Sequence, residues 1–233
     1  MRYLHPVQGH EKFVASGIYK FYKEGSELRK TEEWAIHEHP DGERFIRVDA
    51  DYRMEEGKSI LLEALQTASG ELIRFDVRYE NDRFEGGVKT LRATFSLDAD
   101  VMQIGYEMNG ADRVYREIEL PKFTLVDIPL LVFRGQTTFE LARYGDKSVP
   151  LFVPTFDFAQ LFPGVIQMSQ AQVEYVNDES IPLGKKSIET KRYRYKDKAI
   201  SYWVDKNNTV IKRVNAFKQQ EFVVQISNYA HQG

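Results

Sequence analysis

The chain contains no cysteine. Disulfides, thiol nucleophiles and cysteine-ligated zinc or iron–sulfur centres are therefore excluded. No stretch of about 18 apolar residues is present, so no helix is expected to span a membrane. The opening Met1-Arg2-Tyr3-Leu4-His5-Pro6 lacks the apolar core of a signal peptide. The sequence as it stands reads as cytoplasmic, and as periplasmic or secreted if it is a trimmed form. Charge of one sign is also lacking: a formal net charge of -3 gives no global field to draw nucleic acid or an anionic membrane. Dinucleotide-binding, phosphate-loop, nucleophile-elbow and paired-histidine zinc motifs are all absent. No cofactor, catalytic residue or metal is assigned on this basis. There is no exact internal repeat and no low-complexity linker.

What the chain does have is aromatic residues, with thirteen Tyr and fifteen Phe, which suit strands. From Phe13 to Leu120, alternating segments of strand length are separated by turn signals. The turns include Glu24-Gly25-Ser26, Pro40-Asp41-Gly42, Glu56-Gly57-Lys58, Ser69-Gly70 and Asn109-Gly110. The clearest alternation is Leu72 to Glu80, with Ile73, Phe75, Val77 and Tyr79 on one face and Arg74, Asp76, Arg78 and Glu80 on the other. Such short connections favour antiparallel neighbours. The pattern returns after Gly164, with strands expected at Val165 to Val176, Ile188 to Tyr195, Ala199 to Asp205, Thr209 to Asn215 and Glu221 to Ile226. A turn is expected at Asn177-Asp178, and a hairpin at Asp205 to Asn208. About a dozen strands are too many for one flat sheet. The expectation is an all-β, antiparallel meander forming a barrel or curved half-barrel, or two stacked sheets, with a short helical insert closing one side. One domain is expected over 1–233: a meander at 13–123, the insert at 124–164 and C-terminal hairpins at 165–230.

The insert breaks the strand pattern with apolar residues punctuated by Gly and Pro. Its signals predict three helical pieces. Asp127 caps Ile128 to Arg134, with Gly135 as the stop. Thr137-Thr138-Phe139-Glu140 reads as a capping box for a second piece ending at Tyr144-Gly145. Asp157 to Gln160 opens a third, stopped by Pro163-Gly164. Leu151 to Val153, bracketed by Pro150 and Pro154, reads as extended. Phe133, Phe139, Leu141, Phe152, Phe156, Phe158, Leu161 and Phe162 are the candidate ligand-binding residues. Burying each contributes about 1.5–3 kcal/mol, so they either complete the core or wall an apolar cavity.

Other clusters carry weaker chemistry. His37-Glu38-His39 with Asp41 has two imidazoles at strand spacing but no evident third metal ligand. Asp49 and Asp51 share a strand face, about 7 Å apart, flanked by Arg47 and Arg53. They read as a solvated face cross-paired to Arg74, Asp76 and Arg78, or as an acid/base pair. Lys185, Lys186, Lys191, Arg192, Arg194, Lys196 and Lys198 make the most basic stretch. Tyr193 and Tyr195 face away from Arg192 and Arg194, which does not favour a nucleic-acid stacking platform.

The segment from Val173 to Val214 runs Glu174-Tyr175-Val176, Ile181-Pro182-Leu183-Gly184, Tyr193-Arg194-Tyr195, Tyr202-Trp203-Val204-Asp205 and Val210-Ile211-Lys212-Arg213-Val214. A strand ending in Trp-x-Asp, a turn, and a strand carrying Arg resembles the C-terminal hairpins of bacterial lipoprotein-carrier-like half-barrels and related uncharacterised periplasmic proteins. That resemblance implies an open curved sheet, closed by short helices, that holds acyl chains. Three functional classes follow from the whole reading. The first is non-catalytic binding of a lipid-like small molecule between sheet and insert. The second is a cofactor-independent cyclase or isomerase on a lipocalin-like scaffold, using a carboxylate such as Asp49, Asp51, Asp127 or Asp157, or a tyrosine. The third is an interaction module with an exposed apolar insert.

Overall fold

A computed structural model of the protein describes residues 1–83, 87–145, 147–154, 167–196, 199–217 and 220–232, with backbone alone at 167–170, 216–217 and 220–222. Among the described residues, thirteen strands follow one hydrogen-bonded order, with β12 (Val173–Leu183) and β8 (Val114–Glu119) at its two ends. The chain divides into two compact units: Met1–Ile18, Arg29–Leu120 and Asn228–Gly233 form the first, Tyr19–Leu28 and Pro121–Ser227 the second.

The first unit is the expected meander. Strands β1 (Lys12–Lys23) and β2 (Ser26–Glu38) each pass from one unit to the other along their length. There follow β3 (Arg44–Tyr52), a single helical turn α1 (Arg53–Glu56), β4 (Lys58–Gln66), β5 (Leu72–Asn81), β6 (Lys89–Asp98), β7 (Val101–Met108) and β8 (Val114–Glu119). Each strand from β2 to β8 pairs antiparallel with the next. Alternation along these strands puts Trp34, Val48, Leu62, Phe75, Phe95 and Ile104 on one buried face. Phe75 and Phe95, cross-strand partners, stack with centroids 4.3 Å apart, the arrangement that stabilises a ladder. The Pro40-Asp41-Gly42 turn forms as expected: Gly42 adopts φ +91° and the Asp41 carboxylate accepts the Glu43 N–H at 3.0 Å. The edge strand β8 is exposed along most of its length; its Arg116, Glu117 and Glu119 are of the kind that discourage edge-to-edge pairing.

The second unit contains β9 (Leu125–Val126), α2 (Leu131–Arg143), β10 (Val149–Val153), β11 (Gln167–Ala171), β12 (Val173–Leu183), β13 (Lys186–Tyr195), β14 (Ile200–Val204), β15 (Val210–Phe217) and most of β16 (Gln220–His231). Strands β12 to β16 continue the antiparallel order. A separate three-stranded sheet runs β11-β10-β9, and its β10–β9 pair is parallel. Leu151 to Val153 is extended as expected, but as part of this sheet.

Three expectations are corrected. Val165 to Val176 is not one strand: β11 and β12 belong to different sheets and part at Gln172. Asn177-Asp178 is not a turn. It lies inside β12, beside a bulge, where Asn177 opposes Arg192 and Asp178 opposes Lys191; the opposed charge stabilises an extended course through a turn-like pair. The first two helical pieces are one helix, α2, which runs through Gly135 without stopping. Its N-cap is Leu130, with no side-chain cap. Thr137 donates back to the Phe133 carbonyl at 3.2 Å and opens no capping box. The third piece, with Asp157, lies outside the described residues.

Candidate functional site

Gly135 does not stop the helix because its lack of a side chain serves packing. A Cβ there would lie 1.9 Å from the carbonyl oxygen of Asn208. Asn208 sits in the β14–β15 turn with φ +60°. That turn is built by Asp205, whose Oδ1 accepts the N–H groups of Asn207 (2.9 Å) and Thr209 (2.8 Å). The Asn208 side chain also donates to Gln136 at 2.8 Å. Helix α2 is thus pinned against the hairpin through a backbone contact that only glycine permits.

This docking sets the rest of the helix. Leu131, Phe133, Thr138 and Leu141 are buried. Arg134, half-buried, falls on the same arc, since positions three and four apart stack on one face. Its guanidinium pairs with the carboxylate of Asp127, just ahead of the helix and only 2% exposed. Burial opposes the charge on Arg134, but Asp127, with Tyr202 and Tyr195 nearby, holds its pKa above the ordinary value. Tyr195 and Tyr202 approach with ring centroids 5.6 Å apart. The Thr138 and Tyr195 hydroxyls meet at 3.5 Å, the outer limit of a hydrogen bond. Burial above all, then the neighbouring Tyr202 and Asp127, raises the Tyr195 phenol far above its usual range. Beneath α2 there is therefore a polar cluster of the half-buried Arg134 with the buried Asp127, Thr138, Tyr195 and Tyr202, beside the apolar Phe133 and Leu141. It offers hydroxyls and a charge-compensated ion pair, and Tyr195 is poorly suited to act as a base.

Of the candidate ligand-binding residues, Phe133, Leu141 and Phe152 are buried and Phe139 is half-buried. The backbone N–H of Asp127 donates to the Phe152 carbonyl at 2.8 Å, which ties β10 to the chain entering α2. Phe156, Phe158, Leu161 and Phe162 lie outside the described residues. Sequence reasoning missed the polar cluster. Its signal was Arg134 at the spacing Leu131, Arg134, Thr138, Leu141, an arginine on a helix's apolar stripe; ending the helix at Gly135 hid it.

The remaining candidates resolve as follows. Arg192 and Lys212 flank Trp203 from either neighbouring strand, 4.9 and 5.1 Å from its ring. The Trp203 indole donates to Glu179 at 2.7 Å, and Arg194 pairs with Glu174. Tyr193 and Tyr195 are buried on the opposite face. In the first unit, Arg47 is 2% exposed and donates to Glu63 (2.7 Å) and to both oxygens of Glu11 (2.7 and 3.0 Å). His37 lies 3.3 Å from Arg47 and its pKa is lowered, by burial first and then by Arg47. His39 instead meets Asp41 at 2.8 Å, so the two imidazoles are engaged separately. Among the described residues no group of three metal-ligating side chains is arranged to hold an ion. Asp49 binds Arg2 (2.7 Å) and Asp51 binds Arg53 (2.5 and 2.9 Å). The expected cross-pairing of Asp49 and Asp51 to β5 does not form, because β4 lies between. Arg74 and Arg78 pair instead along their own strand with Asp76 and Glu80.

The open order of mostly antiparallel strands with a docked helix defines a β-barrel-like protein. A solved structure with this fold is the β-barrel-like protein of the domain of unknown function DUF1849 from Brucella abortus, which matches at a TM-score of 0.59 and 10% identity over 97% of this chain and 100% of that one. No family model and no curated protein matches the sequence. In the stretch that carried the lipoprotein-carrier resemblance, flanking cations cover the Trp203 indole and Asp205 builds the turn. No helix among the described residues is long and apolar enough to cross a membrane.

Proposed function

We propose that the protein is a non-catalytic binder of an amphipathic, lipid-like small molecule held between the strands of the second unit and the 124–164 insert. The observation that carries this reading is the mixed character of the packing under α2, where apolar Phe133 and Leu141 share the helix with Arg134 and Thr138, which face two buried tyrosines. Ligand sites combine an apolar lining with a few polar groups that fix orientation. Such a surface would hold a chain along the apolar side and a polar end at the hydroxyls. Because Asp127 already compensates Arg134, an uncharged hydrogen-bonding end suits it better than a free anion. The cyclase or isomerase reading gains nothing from two of its candidates. The Tyr195 phenol is pushed up, away from base strength, and Arg53 holds the Asp51 carboxyl down at about 2.

Native mass spectrometry of gently purified protein, followed by solvent extraction, tests the proposal. A lipid-like molecule should accompany the protein or be taken up from micelles, and Phe133→Ala should weaken its retention. Protein that carries nothing and takes up no fluorescent fatty-acid or acylglycerol analogue would overturn it.

A further inference from the structure

Residues 1–11 form neither helix nor strand, yet they are fastened to the polar face of β3 and β4 at three points, and the Met1 amino group also meets Glu33 of β2 at 2.8 Å. Arg2 engages Asp49 through its backbone N–H (2.6 Å), Nε (3.2 Å) and a terminal nitrogen (2.7 Å). The His5 ring lies 2.8 Å from Glu63. Glu11 holds Arg47 with both carboxylate oxygens. The fastening is made by polar groups, while Tyr3 and Val7 remain exposed. The three points also differ in kind. The side chains of Arg2 and His5 are 40% and 54% exposed, over carboxylates that are each 10% exposed, whereas those of Arg47 and Glu11 are 3% and 1% exposed. Salt screens exposed pairs and hardly affects buried ones.

We propose that residues 1–10 are a detachable strap, hinged at the buried Glu11–Arg47 pair, that covers and uncovers the carboxylates of Asp49 and Glu63. Raising ionic strength weakens the Arg2–Asp49 fastening and leaves the hinge in place. Glu63 keeps Arg47 when the strap lifts. Asp49 loses Arg2, and the bared face is then the more acidic.

Hydrogen–deuterium exchange of the whole protein, followed by peptide mass, tests this at low and high salt. Exchange across residues 2–8 should rise about two- to fivefold at high salt, the size expected from the Arg2–Asp49 pair, while β3 and β4 stay protected. Arg2→Ala, at an exposed side chain that should not endanger folding, should reproduce the effect at low salt, and chymotryptic cleavage at Tyr3 should accelerate in parallel. The strap is a fixed part of the fold if residues 2–8 exchange as slowly as β3 under both conditions. It is not fastened at all if they exchange at the unprotected rate at low salt. Either result, or an Arg2→Ala protein indistinguishable from the parent, overturns the proposal.

Discussion

Arg134 shows how much one side chain can depend on its partner. A half-buried guanidinium on the core-facing side of a helix sits beside the buried carboxylate of Asp127. Replacing it by methionine should destabilise the protein by about 3–5 kcal/mol, since the Asp127 carboxylate then stays buried without that cation. The double variant Arg134→Met with Asp127→Leu should recover most of the loss, because an apolar pair can replace a buried ion pair at little cost. Chemical denaturation of the two variants and the parent checks both values. If the ligand reading holds, the double variant folds but retains an amphipathic ligand poorly. Asp51 gives a pH signature. Its hydrogen bonds to Arg53 lower its pKa from 3.8 to about 2. A depressed carboxyl adds stability that is present above the unfolded value and is lost as pH falls through the folded one. The stability difference between the parent and Asp51→Asn should therefore be constant above 3.8 and shrink toward about 2. Acid titration followed by far-ultraviolet circular dichroism measures this. Asp51 is well exposed, so the effect should be small.

At the scale of elements, α2 shows why glycine is ambiguous in a sequence. Followed by polar residues, Gly135 has the signature of a helix stop, as does Gly145, which takes φ +62° just after α2 ends. Only the partner surface separates the two: Gly135 is helical and has the Asn208 carbonyl where its Cβ would be. Gly135→Ala should lower the melting temperature by several degrees, in line with about 1–3 kcal/mol or more for overpacking. Gly9→Ala, with nothing within 4 Å of its Cβ, should change it little. The strands of the meander were legible to within a residue or two, because their alternation and their turns act locally. β12 was not, because its Asn177-Asp178 pair is extended only in the presence of the oppositely charged β13.

At the scale of the molecule, each unit carries one of the two tryptophans, Trp34 and Trp203, both buried. The variants Trp34→Phe and Trp203→Phe therefore leave single probes, each reporting one unit. Because β1 and β2 are continuous strands that run through both units, the two probes should unfold with coincident midpoints in urea. Separate midpoints would show that the units melt independently.

The sequence by itself determined the all-β class, the number and course of the β1–β8 strands, and the Pro-Asp-Gly and Asp-to-Asn turns. Each of these rests on period-two alternation or on φ preferences within a few residues. Tertiary structure alone decided the three-stranded sheet with its parallel β9–β10 pair, the continuity of α2 and the cluster of Arg134, Asp127, Thr138, Tyr195 and Tyr202. The reason is physical. Those features bring together groups from distant parts of the chain, and burial then changes what the groups cost and how they ionise.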